Sequence, residues 1–177
     1  KAPSKSTTTT KTTATTKSTT TTIKTTTTTK STITTKSTTT TIPLTSLCPF
    51  NTAQSPLRNK VILNEIAWMG TTENSNHEWI ELKNISNQTI DISNWQILDK
   101  DNQIKIILPL NTKILSNQLF LLERTDDDSV PQIKADYIFI GSINNQNETL
   151  KLFDNHCQLQ DEAVSEGDWF FGDNASK

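Results

Sequence analysis

Glycine and cysteine are scarce in this chain, and so are the residue combinations on which most enzyme chemistry depends. Four glycines in 177 residues leave little room for a phosphate-cradling loop, and no G-x-S-x-G elbow occurs. Two cysteines, Cys48 and Cys157, make no C-x-x-C pair. HEWIE (residues 77–81) lacks the second histidine of H-E-x-x-H, so no zinc motif is present. No apolar run approaches the roughly 18 residues a membrane helix needs, so this chain has no expected span. No acidic residue precedes Glu65. The chain opens on Lys1 without a signal peptide, which reads as a processed or excised start. These absences point away from catalysis and from a cofactor.

What is present divides in two. Residues 1 to about 45 are mostly threonine, and they carry seven lysines within 1–42. The remainder holds ten basic residues against all nineteen acidic ones, so a +7 segment precedes a −9 body. Such segregation favours contact between the tail of one molecule and the body of another. An acidic body disfavours nucleic acid, whose affinity rests on phosphate neutralisation. The lysines mark a repeat of six or seven residues, as in KSTTTT at 5–10 and 36–41, too short for a helical solenoid. β-Branched threonine disfavours helix, and with almost no apolar side chains the segment cannot offset its chain entropy. It reads as an extended linker or, more sharply, an O-glycosylated stalk. The acceptor candidates are Thr7, Thr8, Thr9, Thr10, Thr19, Thr20, Thr21, Thr22, Thr25, Thr26, Thr27, Thr28, Thr29, Thr38, Thr39, Thr40 and Thr41.

Beyond this tail (1–45) come a lead-in (46–60) and a folded domain (61–177), about 130 residues in all, enough for one real core. The chain between Glu78 and Ile97 organises the domain. Trp79, Glu81 and Lys83 alternate with Ile80, Leu82 and Asn84, the period of a strand with one buried face. A loop to Gln88, a short strand Thr89–Ile92, a turn at Ser93-Asn94 and a third strand from Trp95 follow. Trp79 and Trp95 are expected to anchor the core. A first strand spans Val61–Trp68, with a bulge where its alternation slips at Asn64-Glu65. Further strands are expected in Gln103–Leu108, Lys113–Arg124, Tyr137–Ile140, Glu148–Phe153, Cys157–Glu162 and Asp168–Phe171. Many short strands with turn signals about every ten residues indicate an all-β sandwich or barrel.

The wording of several strands adds a family. VILNEIAWMG resembles the opening of bacterial lamin-tail domains, and FLLERTDD, GSINNQNETLKLFD and QLQDEA are similar to the family's later strands. LKNISN followed by NWQI is similar to the same stretch of nuclear lamins. The resemblance covers about residues 61–173, although His77 stands where bacterial members more often carry an acidic residue. It implies an immunoglobulin-like β-sandwich, a non-catalytic module often attached to secreted or surface proteins and sometimes to larger enzymes. It implies no particular ligand.

Few residues offer chemistry. Cys48 and Cys157 are an even pair, expected to form one disulfide in an oxidising compartment, with two unpaired thiols as the alternative. His156 beside Cys157 is badly placed for proton transfer if both lie on a strand. Asp126, Asp127 and Asp128, with Asp99 and Asp101, are the weak calcium candidates, lacking EF-hand spacing. Glu65, Glu78 and Glu81 are better read as outer-face acids than as a glycosidase pair. Asn84, Asn87, Asn147 and Asn174 begin N-glycosylation sequons, which asparagine-rich turns also produce by chance. The expected protein is a structural or adhesive head on a stalk, outside a bacterial cell. Its partners are other copies of itself, assembled by strand addition, or surface glycans and proteins. An accessory carbohydrate- or polyanion-binding module of a larger secreted enzyme is the alternative.

Overall fold

A computed structural model describes residues 46–172. Ten strands follow one another: β1 (Val61–Ala67), β2 (Trp79–Asn84), β3 (Ile90–Asp91), β4 (Gln96–Asp99), β5 (Lys105–Ile107), β6 (Lys113–Ile114), β7 (Leu119–Arg124), β8 (Tyr137–Phe139), β9 (Thr149–Phe153) and β10 (Leu159–Val164). Among the described residues there is no helix. One sheet runs β1-β2-β7-β8, a second runs β10-β9-β4-β5, and β3 and β6 form a two-stranded ribbon. The fold is an all-β, immunoglobulin-like sandwich.

Every pairing is antiparallel except β7 with β8. Parallel neighbours need a crossover of about a dozen residues, and residues 125–136 supply it. The expected bulge in β1 is present, with the register against β2 shifting between Leu63 and Glu65. Asparagine makes many of the turns: Asn94, Asn102, Asn111, Asn117 and Asn147 all have positive φ, a region its short polar side chain tolerates.

The main core is filled from both sheets. Ile80, Leu82, Phe120 and Leu122 meet Ile97, Ile106, Leu150 and Leu152, joined by Trp68 and Trp95. Each such burial contributes about 1.5–3 kcal/mol. A second cluster lies on the other face of the β10-β9-β4-β5 sheet. There Leu98, Phe153 and Leu159 pack with Cys48, Phe50 and Cys157. The lead-in covers that face, held where the Gln96 side chain accepts from the Cys48 N–H (2.9 Å) and donates to the Ser46 carbonyl (3.1 Å).

Some expectations shift. Trp79 is not a core anchor: it shares the parity of Glu81 and Lys83 and lies half-exposed on the outer face of β2. Trp68 takes the expected place beside Trp95. Lys113–Arg124 divides into β6 and β7 at a turn containing Asn117. The final strand starts at Leu159, because 154–157 is a turn. There the Asp154 carbonyl accepts from the Cys157 N–H, and its carboxylate accepts from His156 and Gln158. Asp168 makes a single bridge to Gln146, and no strand forms over 168–171.

Candidate functional site

Cys48 and Cys157 are joined, with Cα atoms 5.2 Å apart. The bond ties the lead-in to the turn before β10. Cys157 has φ 57°, so it and His156 belong to a turn and not to a strand, and the sulfur is bonded to its partner, not held as a nucleophile.

The carboxylates expected at the surface have varied surroundings. Glu78 is buried, contrary to the outer-face reading: the Arg124 guanidinium is 2.9 Å from one oxygen, and the other accepts from the Ile143 N–H at 2.9 Å. Its parity explains this, since residues 78, 80, 82 and 84 point to one side. Asp126, Asp127 and Asp128 do not converge on a cation position. Asp127 caps the Ala135 N–H at 2.6 Å, and among the described residues no group of three or more acids, histidines or cysteines has metal-binding geometry. Asp99 is buried and accepts from the Gln103 and Ile104 amides, while Asp101 accepts from the Asn144 side chain. His77 meets the Thr71 hydroxyl at 3.1 Å.

The sequons divide in the same way. Asn84 is fully buried. Its amide donates to the carbonyls of Gln88 (2.7 Å), Ile114 (3.0 Å) and Leu115 (3.1 Å), and its oxygen accepts from the Ser86 N–H and hydroxyl. No glycan fits there in the folded domain; Asn84 is a structural hub joining β2 to β6. Asn87 is exposed. Asn147 is exposed at a turn, where its oxygen accepts from the Gly167 N–H at 3.0 Å. Asn174 and all the threonine acceptor candidates lie outside the described residues.

One surface feature gathers residues of mixed chemistry. The Thr125–Asp136 crossover folds over the outer face of β7. Glu123 is fully buried beneath it and accepts from the amides of Ser129 (2.8 Å) and Val130 (3.2 Å). Asp136 accepts from the Leu121 N–H at 2.8 Å. Between this crossover and β1 lies a groove of about 420 Å³, lined by Glu65, Trp79, Glu81, Leu119, Leu121, Val130, Ile133, Lys134 and Asp136. Glu65 and Glu81 are direct cross-strand partners, and Glu81 accepts from the Asn64 side chain at 2.6 Å. A second, polar cleft of about 510 Å³ lies beside Trp68, lined by Asn144, Asn145, Gln146 and Asp168. The Trp68 ring stacks on Trp169, with centroids 6.5 Å apart, and its N–H donates to the Phe171 carbonyl.

The sheet edges differ as well. The lead-in pairs with β10 through the Leu57 and Arg58 amides. β1 is tethered by Asp161, which accepts from the Leu63 N–H at 2.9 Å and meets Arg58 at 2.6 Å. β5 is three residues long and begins with Lys105. Among the described residues β8 is the remaining edge of the two four-stranded sheets; it too is three residues long, and it reads YIF with no charge. Ile138 and the following Ile140 are exposed, Ile140 at 88%.

No curated protein matches the chain. The family model described as Lamin Tail Domain matches residues 54–168, more than half of the sequence and every strand of the sandwich. This chain therefore belongs to the lamin tail domain family, a family of non-enzymatic immunoglobulin-like domains.

Proposed function

We propose that this chain is a structural module of the cell exterior that joins copies of itself by strand addition at β8. The observation that carries the reading is the uncharged β8 edge, bearing exposed Ile138 and Ile140. Edge strands are normally blunted by charge, bulges or cover, as the other three described edges of the two four-stranded sheets are. An extended segment from a second copy can complete β8 through backbone hydrogen bonds, with the two isoleucines contributing side-chain contacts. Such a contact is heterologous, so it propagates into an open filament unless rotation closes it. The disulfide supports an oxidising compartment. The buried acids support a role without catalysis: Glu78, Asp99 and Glu123 all bind backbone amides of the fold.

The test is sedimentation velocity of the full chain over a wide concentration range. The wild type is expected to form species that grow with concentration, while Ile138→Lys forms markedly smaller species at each concentration with an unchanged circular dichroism spectrum. A wild type that remains a single monomer at every concentration defeats the proposal.

A further inference from the structure

We propose that the Trp79 groove is a receptor for a lysine of the threonine-rich segment of a second copy of this chain. The two outer faces of the sandwich are unequal. The lead-in covers one, where Cys48 and Phe50 pack on Leu98, Phe153 and Leu159. The crossover covers only part of the other, leaving Trp79 half-exposed in the groove with Leu121 and Ile133.

Two acids share the groove, Glu65 exposed and Glu81 half-buried. Glu65 and Glu81 stand directly opposite each other on neighbouring strands, an arrangement that destabilises a sheet when both are charged. The Asn64 side chain donates to Glu81. Lys134 on the facing wall makes no ion pair with either glutamate. A primary ammonium placed between the two carboxylates would offset their repulsion through charge-assisted hydrogen bonds. Trp79 lies two residues from Glu81 on the same side of β2, so the same cation would reach the indole face.

Charge complementarity selects the occupant. Residues 1–42 carry seven lysines and no acid, whereas the rest of the chain is −9. The lysines recur only every six or seven residues, so each groove takes a single lysine. This assignment rests on the reading of the chain as one that joins copies, but the groove and the β8 edge use different residues and fail separately.

The experiment is zero-length carbodiimide coupling of the full chain, mixed from unlabelled and ¹⁵N-labelled protein and mapped by mass spectrometry. The expected products link Lys11, Lys17, Lys24, Lys30 or Lys36 to Glu65 or Glu81, with both isotopes present in about half of them. Alongside it, an unmodified peptide of residues 24–36 is titrated into the full chain and followed by titration calorimetry. Its Kd should rise about tenfold in Glu65→Gln/Glu81→Gln and in Trp79→Ala, each variant keeping the wild-type melting profile to within a few degrees. Coupling confined to single chains, or a peptide with its lysines changed to threonine binding equally well, overturns the proposal. Ile138→Lys should leave peptide binding intact, so undiminished assembly of that variant together with retained binding sinks the edge reading alone.

Discussion

Asn84 offers the sharpest perturbation of the fold, because one fully buried amide shares its two N–H donors among three carbonyls and accepts twice at its oxygen. Changing it to alanine removes all of these contacts at once. The Ile114 carbonyl, bonded in a buried setting, is then left without this donor, a loss of about 1–3 kcal/mol. The Gln88 and Leu115 carbonyls and the Ser86 groups are partly accessible and can recover water, so each contributes the smaller net value of about 0.5–1.5 kcal/mol, or less. Asn84→Ala should therefore destabilise the domain by about 3 kcal/mol. With a urea slope in the ordinary range, the midpoint falls by about 1.5 M. Asn84→Asp is the stricter arm. It preserves shape but points a carboxylate oxygen at three carbonyls, and should be worse than alanine. Asn87→Ala, at an exposed position of the same loop, should stay within about 0.5 kcal/mol of wild type. Equilibrium urea unfolding by tryptophan fluorescence reads all three. An Asn84→Ala midpoint matching that of Asn87→Ala would show that the hub is not formed.

Three other perturbations test separate parts of the sandwich. Reducing the Cys48–Cys157 bond, which closes a separation of 109 residues, should lower stability by up to about 4.7 kcal/mol in the chain-entropy picture; overlapping urea curves with and without reductant would contradict this. Trp95→Ala should cost about 3–5 kcal/mol and Trp79→Ala much less, since only Trp95 is in the core, and thermal melts that rank them in reverse would restore Trp79 as an anchor. Burial pushes the Glu148 carboxyl above its ordinary value of 4.5, opposed by the Thr149 and Asn144 amides and reinforced by Asp99 and Asp101. The folded state thus holds that proton more tightly, and the stability it contributes is present below about pH 4.5 and lost as the pH rises through the raised value. Urea unfolding across that window should show the wild type losing stability relative to Glu148→Gln, and parallel profiles would refute the assignment.

Much of the architecture could be read from residue order because the strands are short and keep their period. The β1 bulge is a case in point: Asn64 and Glu65 break the alternation, and the register against β2 shifts there. The same alternation along β2 already placed Glu78, Ile80, Leu82 and Asn84 on the inward side and Trp79 with Glu81 and Lys83 on the outer one. Reading Trp79 as an anchor gave the bulk of the indole priority over its parity. Polarity misled in the same way at Glu78 and Asn84, since buried polar groups depend on partners distant in sequence. Arg124 and Ile143 satisfy the first, and the Ile114 and Leu115 carbonyls the second. The groove was illegible for a different reason. It exists because Glu123 fastens the crossover over β7, and no local pattern in 125–136 declares where that loop folds.

The central claim is that β8 accepts a strand from another copy, and amide hydrogen exchange at Tyr137–Ile140 tests it most directly. The account predicts that these amides become more protected in the full chain at high concentration than in dilute solution, and that Ile138→Lys abolishes the difference. Equal exchange at both concentrations would contradict it.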